Sequence, residues 1–222
     1  MQISAASGLR VPARYIPQLE SLRGWAILFV VAFHYDGILF SGSSENLPAD
    51  SSFWWRLVNA GNTGVSLFFV LSGFLLVQPF ILALRSGERL NIRSFYLARF
   101  LRIVPLYYAA VLFAWLVSGN TSSALQAALF IPVGFSIFPF SVPWWSLSTE
   151  VQFYLLLPWI MLALTWRKGR WLVVTALMVW LLLHCIYFVA PEMLGTANKR
   201  FLAPSIFGRG TAFLFGGLAA WL

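Results

Sequence analysis

The stretch Leu22–His34, LRGWAILFVVAFH, is apolar except at Arg23, Gly24 and His34. The apolar run continues to Phe40, and a helix of about 20 apolar residues spans a bilayer. An arginine at the centre of such a helix costs at least ~2.5 kcal/mol, so ionisable residues there are functional candidates by default. The stretch therefore predicts a membrane helix that carries a functional site.

Arg23 and His34 are separated by ten residues. The step between them is about three helical turns, so both side chains project from one face of the helix. A neutral imidazole is the side chain best suited to act as a base near neutral pH. We expect Arg23 to hold an anion and His34, about 16 Å further along the helix axis, to meet the reactive centre.

The composition of the whole chain agrees with a membrane protein. Of its 222 residues, 60% are hydrophobic and 10% are charged, whereas soluble domains carry roughly 25% charge. The net charge of +8 arises from basic residues in short loops between apolar runs, which the positive-inside rule explains without a nucleic-acid partner. A single cysteine, Cys185, excludes an internal disulfide and a zinc framework, and we expect no metal site.

Apolar runs predict an all-α, polytopic transmembrane bundle of six or seven helices. The run Ala124–Phe140 is interrupted by Pro132, Gly134 and Pro139, and we interpret it as a broken or re-entrant segment that does not cross. The six predicted spans are Leu22–Phe40, Gly64–Leu84, Ile103–Val117, Trp145–Thr165, Trp171–Ala190 and Ser205–Leu222.

The distribution of arginine sets the expected orientation. Arg10 and Arg14 precede the first span, and the segment Arg85–Arg102 carries five arginines, which places both in the cytoplasm. We therefore expect a multi-pass protein of the inner or plasma membrane with a cytoplasmic N-terminal segment, residues 1–18, followed by a transmembrane domain, residues 19–222.

Arg99 and Arg102 lie three residues apart, ahead of Pro105, and share one face of a helix. One interpretation is a cytoplasmic anchor that binds anionic lipid headgroups. The other is a phosphate clamp, because guanidinium binds phosphate oxygens through a paired fork that lysine lacks.

Two further positions are candidates. Glu150 is the only acidic residue in WWSLSTEVQFYLLLPW (Trp144–Trp159), and its carboxylate is expected to be stabilised by a helix N-terminus or paired with an Arg or His elsewhere. Ser72 and Gly73 lie within GVSLFFVLSGFLL, where small residues favour close helix packing and also allow a ligand to approach the backbone.

Four stretches together resemble the membrane-bound acyltransferase-3 family: LESLRGWAILFVVAFHY, GVSLFFVLSGFLL, FYLARFLRIVPLYY and WWSLSTEVQFYLLLPW. The resemblance implies that His34 is the essential histidine and Arg23 its basic partner. It also implies that Arg99 and Arg102 bind the donor, that Ser72 belongs to an SGF-type motif, and that Glu150 is a second catalytic candidate.

The family resemblance implies transfer of an acyl group, expected to be acetyl, from cytoplasmic acyl-CoA to a hydroxyl of a carbohydrate or lipid-linked glycan. His34 would act as general base, with an acyl-histidine intermediate formed by nucleophilic attack as the other route, and no tightly bound cofactor is expected. Family members are usually longer, so we expect this chain to be truncated at its C-terminal side. A transporter or channel with an intramembrane His/Arg/Glu site is the alternative.

Overall fold

A computed structural model describes residues 17–39, 53–131, 137, 143–190 and 202–222. In these residues all regular structure is helical, which confirms the all-α prediction for this part of the chain. The predicted N-terminal segment, residues 1–18, falls almost wholly outside the described residues. The helices are α1 (Pro17–Leu39), α2 (Phe53–Asn59), a 3-10 turn (Ala60–Asn62), α3 (Thr63–Ser86), α4 (Ile92–Ser118), α5 (Thr121–Ala128), α6 (Trp144–Ala163), α7 (Arg167–Val189) and α8 (Ile206–Trp221).

Three of the described helices, α3, α4 and α7, are long and apolar enough to cross a membrane. By length and composition, the described helices therefore do not confirm the six or seven membrane helices predicted from the sequence. Helices α1 and α6 have 23 and 20 residues, but their apolar sequence is interrupted by ionisable groups such as Arg23 and Glu150. Helix α8 has only 16 residues, fewer than the ~20 needed to span hydrocarbon.

Helix α4 begins at Ile92, well before the predicted span Ile103–Val117, and it includes Arg99 and Arg102, as their spacing predicted. The side chain of Asn91 accepts a hydrogen bond from the Ser94 amide at 2.9 Å, which satisfies a free N–H of the first turn. Hydropathy marks where a segment becomes apolar, whereas the backbone hydrogen bonds continue through the arginines. Arg99 consequently lies inside the helix, where its position is fixed by the packing of α4.

Helices α3, α6 and α8 run parallel to one another. Phe69 and Ser72 of α3 contact Trp145 and Glu150 of α6, respectively, in the same chain order. The ring of Phe213 in α8 stacks on Phe69 with centroids 4.6 Å apart. These contacts form the main buried core of the bundle.

Two glycines allow α3 and α8 to approach closely. An added Cβ at Gly73 would overlap the backbone carbonyl of Phe213, and one at Gly216 would overlap the carbonyl of Val70. The prediction that the small residues of α3 serve close helix packing is therefore confirmed at Gly73.

Helices α4 and α6 are antiparallel. The Tyr96 hydroxyl donates to the Leu155 carbonyl at 3.0 Å, while Tyr107 packs on Trp144 with ring centroids 5.7 Å apart. The chain between these helices thus begins and ends at the same end of the bundle. Its α5 has eight residues, about 12 Å of helix. This geometry agrees with the non-spanning interpretation of residues 124–140, of which 132–136 and 138–142 lie outside the described residues.

Basic residues gather at the opposite end of the bundle. The Arg85 guanidinium, at the end of α3, donates to the carbonyl of Trp221 at the end of α8 at 2.6 Å. Helix α7, which starts at Arg167, is antiparallel to α8, since His184 near its end contacts Phe207 near the start of α8. A common basic end is what the positive-inside rule requires of a cytoplasmic face, and the orientation itself stays a prediction.

Candidate active site

A group of polar residues, buried except for the half-buried Arg99, lies where α1, α3, α4 and α6 meet. We call Arg23, Ser72, Arg99, Glu150 and Tyr154 the Arg–Glu cluster. Its centre is the Glu150 carboxylate, whose residue is 4% exposed. The Arg23 Nη2 lies 3.8 Å from Glu150 Oε1, and Ser72 donates to the same oxygen at 3.2 Å. Tyr154 also donates to it through a short hydrogen bond.

Glu150 was expected either to be stabilised by a helix N-terminus or to pair with an Arg or His elsewhere. The structure shows it paired with Arg23. A buried carboxylate requires such partners, since an unpaired charge in a low-dielectric interior is strongly unfavourable. All the described partners bind Oε1, and among the described residues none bonds Oε2.

Arg23 reaches the cluster from α1 and is 7% exposed. Its guanidinium lies over the ring of Phe68 at 5.0 Å, within the range of a cation–π contact. Its Nη1 is also 3.6 Å from Glu20, whose side chain is 41% exposed. The Nε of Arg23 is buried without a hydrogen-bond partner, so the side chain retains an unused donor.

Arg99 enters from α4 and is held by aromatic faces. Its guanidinium carbon lies 5.7 Å from the centre of the Phe95 ring and 5.8 Å from that of Tyr154. The Nε is buried and has no hydrogen-bond partner. Within the part of the chain that the structure describes, no carboxylate forms an ion pair with Arg99.

The cluster carries an excess of positive charge. Arg99 is close enough to Arg23 and Glu150 to interact electrostatically with both, so two guanidiniums face one buried carboxylate. Glu20 pairs with Arg23 at the more exposed edge of the cluster, so among the described residues Arg99 is the cluster guanidinium that lacks an ion pair. Such a site is suited to an anion, because guanidinium nitrogens in a low-dielectric setting bind phosphate or carboxylate oxygens strongly.

The structure brings together four of the six predicted site residues and leaves two apart. Arg23, Ser72, Arg99 and Glu150 share the cluster, whereas the Arg102 side chain is exposed. His34 is half-buried and lies about 16 Å along α1 from Arg23. Its described ring contact is with the neighbouring Phe33, at 5.4 Å between centroids.

Tyr154 is the cluster residue that sequence reasoning missed as a site residue. Its signal was present, because residues four apart on a helix share a face, and Tyr154 follows Glu150 by four positions. The nearby Gln152 serves the packing of the helices instead, since its Oε1 accepts from the Ile206 amide at 2.9 Å and so ties α6 to the start of α8. Among the described residues, no group of three His, Cys, Asp or Glu side chains is placed to hold a metal ion.

Comparison with known proteins places the sequence of this chain in a family. The sequence profile described as acyltransferase domain matches residues 16–220. Peptidoglycan O-acetyltransferase OatA of Listeria monocytogenes is 24% identical over 213 residues, which cover 86% of this chain and 31% of that protein.

Two further relatives give similar results. O-acetyltransferase OatA of Staphylococcus aureus is 25% identical over 204 residues, covering 81% of this chain and 31% of that protein. Acyltransferase MdmB of Streptomyces mycarofaciens is 29% identical over 161 residues, covering 64% and 38%, respectively. The chain thus spans less than two fifths of the length of these curated relatives, and no solved structure matches it. The resemblance to the acyltransferase-3 family is confirmed, and the chain belongs to the acyltransferase domain family.

Proposed function

We propose that this chain transfers an acyl group, acetyl in the first instance, from acyl-CoA to a hydroxyl of a carbohydrate acceptor. Family membership supports acyl transfer, and two of the relatives above are named as O-acetyltransferases. The observation that carries the proposal is the half-buried Arg99 guanidinium of the Arg–Glu cluster, which forms no ion pair among the described residues. In acyl-CoA a long, flexible arm joins the phosphates to the thioester. An anion-binding site at the Arg–Glu cluster and a base at His34, some distance along α1, could therefore hold the two ends of this donor.

The donor binds through the guanidiniums of the cluster in this proposal. Arg99 supplies the principal charge, because no described carboxylate neutralises it. Arg23 lies beside it and is fixed by Glu150. Glu150 acts by keeping Arg23 in position, since its Oε1 already accepts from Ser72 and Tyr154. The exposed Arg102 forms an outer, weaker contact with the same donor.

His34 performs the proton transfer. The pantetheine arm of the donor covers the distance of about 16 Å between Arg23 and the histidine. The imidazole takes the proton from the acceptor hydroxyl as its oxygen attacks the thioester carbonyl. The carbon–sulfur bond then breaks, the acyl group remains on the acceptor oxygen, and the thiolate takes up the proton to leave as the thiol of coenzyme A. Attack by the imidazole itself, to give an acyl-histidine, is the competing route.

The acceptor in this proposal is a glycan hydroxyl at the end of the bundle where His34 lies. One of the relatives is named as a peptidoglycan O-acetyltransferase, which supports a carbohydrate, in free, polymeric or lipid-linked form. Basic residues gather at the other end, which in this proposal is the cytoplasmic face and the side from which acyl-CoA enters. The reaction therefore passes an acyl group along the length of the bundle.

The test is transfer from radiolabelled acetyl-CoA in membranes that contain the full chain or a variant. His34→Ala should abolish label turnover, while the matched control His184→Ala, which changes the only other histidine, should retain it. Normal insertion of both variants is checked by extraction. Label that stays on the precipitated wild-type protein would indicate an acyl-histidine, and its absence during turnover would indicate direct transfer.

Two outcomes would contradict the proposal. Equal turnover in wild-type and His34→Ala membranes would remove His34 from the chemistry. Uptake of an anion into vesicles without any acetyl-CoA binding that depends on Arg99 would favour a transporter instead.

A further inference from the structure

We propose that Tyr154 is the positioning residue of this site: its hydroxyl fixes the Glu150 carboxylate while the face of its ring holds the Arg99 guanidinium. The inference rests on the proposed function for what the cluster binds, but the positioning itself follows from contacts in the described residues. Tyr154 is 5% exposed and lies between a carboxylate on its own helix and a cation on α4.

The hydroxyl of Tyr154 positions the Glu150 carboxylate. Tyr154 lies one helical turn after Glu150 and donates to its Oε1. Ser72 donates to the same oxygen from α3, and Arg23 approaches it from α1. Two hydroxyls and a guanidinium that converge on one oxygen leave the carboxylate little rotational freedom. Because Glu150 in turn holds Arg23, the Tyr154 hydroxyl orients an arginine that it does not touch.

The ring of Tyr154 positions Arg99. The Arg99 guanidinium lies over the ring of Tyr154 and over the ring of Phe95. Phe95 precedes Arg99 by one turn of α4. The two rings pack edge to face with centroids 6.3 Å apart, and Phe95 is backed by Phe80 of α3 at 5.1 Å. With no described carboxylate paired to Arg99, these aromatic faces determine where its charge lies.

The two functions of Tyr154 can be separated by substitution. Tyr154→Phe keeps the ring and removes the donor, so it should disturb Glu150 and Arg23 but leave Arg99 in place. Tyr154→Leu removes both. Tyr96→Phe is the matched control, because Tyr96 also bonds α4 to α6, through the Leu155 carbonyl, yet does not touch the cluster.

Kinetics of acetyl transfer by the full chain give the first readout. Tyr154→Phe should lower kcat about tenfold, the effect expected for loss of a hydrogen bond to a charged group, with the donor KM within about twofold because Arg99 is intact. Tyr154→Leu should also raise the donor KM about tenfold, as expected for loss of a desolvated cation–π contact. In a Glu150→Gln background the effect of Tyr154→Phe should shrink to less than about twofold, because the hydroxyl acts through Glu150. A Tyr154→Phe variant that matches Tyr96→Phe in kcat would overturn the proposal.

A second readout does not depend on activity. Phenylglyoxal modifies accessible guanidiniums, and mass spectrometry of peptides from the labelled chain resolves Arg99 from Arg102. Tyr154→Leu should increase the labelling rate of Arg99 at least about threefold relative to Arg102, with no change in Tyr154→Phe. If no variant or wild-type sample transfers acetyl but this pattern appears, the proposed function fails and the positioning role stands. Equal Arg99 labelling in wild type and Tyr154→Leu would refute the role of the ring, whatever the activity.

Discussion

Replacing Glu150 by Gln should destabilise the chain strongly, although it removes only one charge. The amide oxygen still accepts from Ser72 and Tyr154, but the buried Arg23 and the half-buried Arg99 then lose the buried carboxylate beside them. At the observed 3.8 Å and an effective dielectric constant of about 20, the lost attraction is about 4 kcal/mol. Breaking a buried pair in this way costs about 3–5 kcal/mol in measured cases.

The loss should appear as a lower unfolding temperature of the purified chain in detergent. For a chain of this size each kcal/mol corresponds to about 2–4 °C, so the Tm of Glu150→Gln should fall by roughly 10 °C. Glu20→Gln is the control: Glu20 lies 3.6 Å from the same arginine but is 41% exposed, and such pairs contribute at most ~1 kcal/mol.

The double variant Arg23→Met/Glu150→Gln separates pairing from packing. Since both members of the pair are removed, its Tm should lie above the value obtained by adding the two single losses. If Glu150→Gln unfolded within about 2 °C of Glu20→Gln, the predicted destabilisation would be wrong, because the buried charges would then not depend on one another.

Two further predictions concern packing and donor binding. Gly73→Ala should lower the Tm of the chain, because an added Cβ overlaps the Phe213 carbonyl, whereas Gly24→Ala, with no atom within 4 Å of the added Cβ, should leave it unchanged or raise it slightly. Arg99→Ala should weaken acetyl-CoA binding in detergent at least about tenfold and Arg102→Ala less than about threefold, because a half-buried guanidinium contributes more than an exposed one. Equal losses would contradict the separation of the two arginines.

The types of residue in the site were predictable from the sequence, since an ionisable group within an apolar run stands out against its surroundings. Arg23 and Glu150 were found in this way, and the structure joins them. Ser72 was recognised by its motif, and its hydrogen bond to Glu150 connects residues on different helices. That contact was not predictable, because hydropathy says which segments enter the membrane and nothing about which of them become neighbours.

The bounds of the helices, like the residues of the site, could be predicted from the sequence only in part. The predicted span Gly64–Leu84 differs from α3 (Thr63–Ser86) by two residues or fewer at each end, because both its hydropathy and its backbone change at the same places. Helix α4 extends well beyond the predicted span Ile103–Val117, since Asn91 caps the helix on the polar side of the arginines. Arg99 and Arg102 have similar sequence surroundings, and the aromatic faces of Phe95 and Tyr154 distinguish the half-buried Arg99 from the exposed Arg102.

The assembly of the Arg–Glu cluster from four helices has a consequence for how the protein is made. Arg23 leaves the ribosome before α3, α4 and α5 have been synthesised, and its partner Glu150 arrives only with α6. Until then α1 carries an arginine that would cost ~2.5 kcal/mol or more in hydrocarbon. Nascent chains that end before Trp144 should therefore leave α1 extractable by alkali or still beside the insertion machinery, and chains that include α6 should hold it firmly. The final position of the first helix is in this sense decided by the sixth.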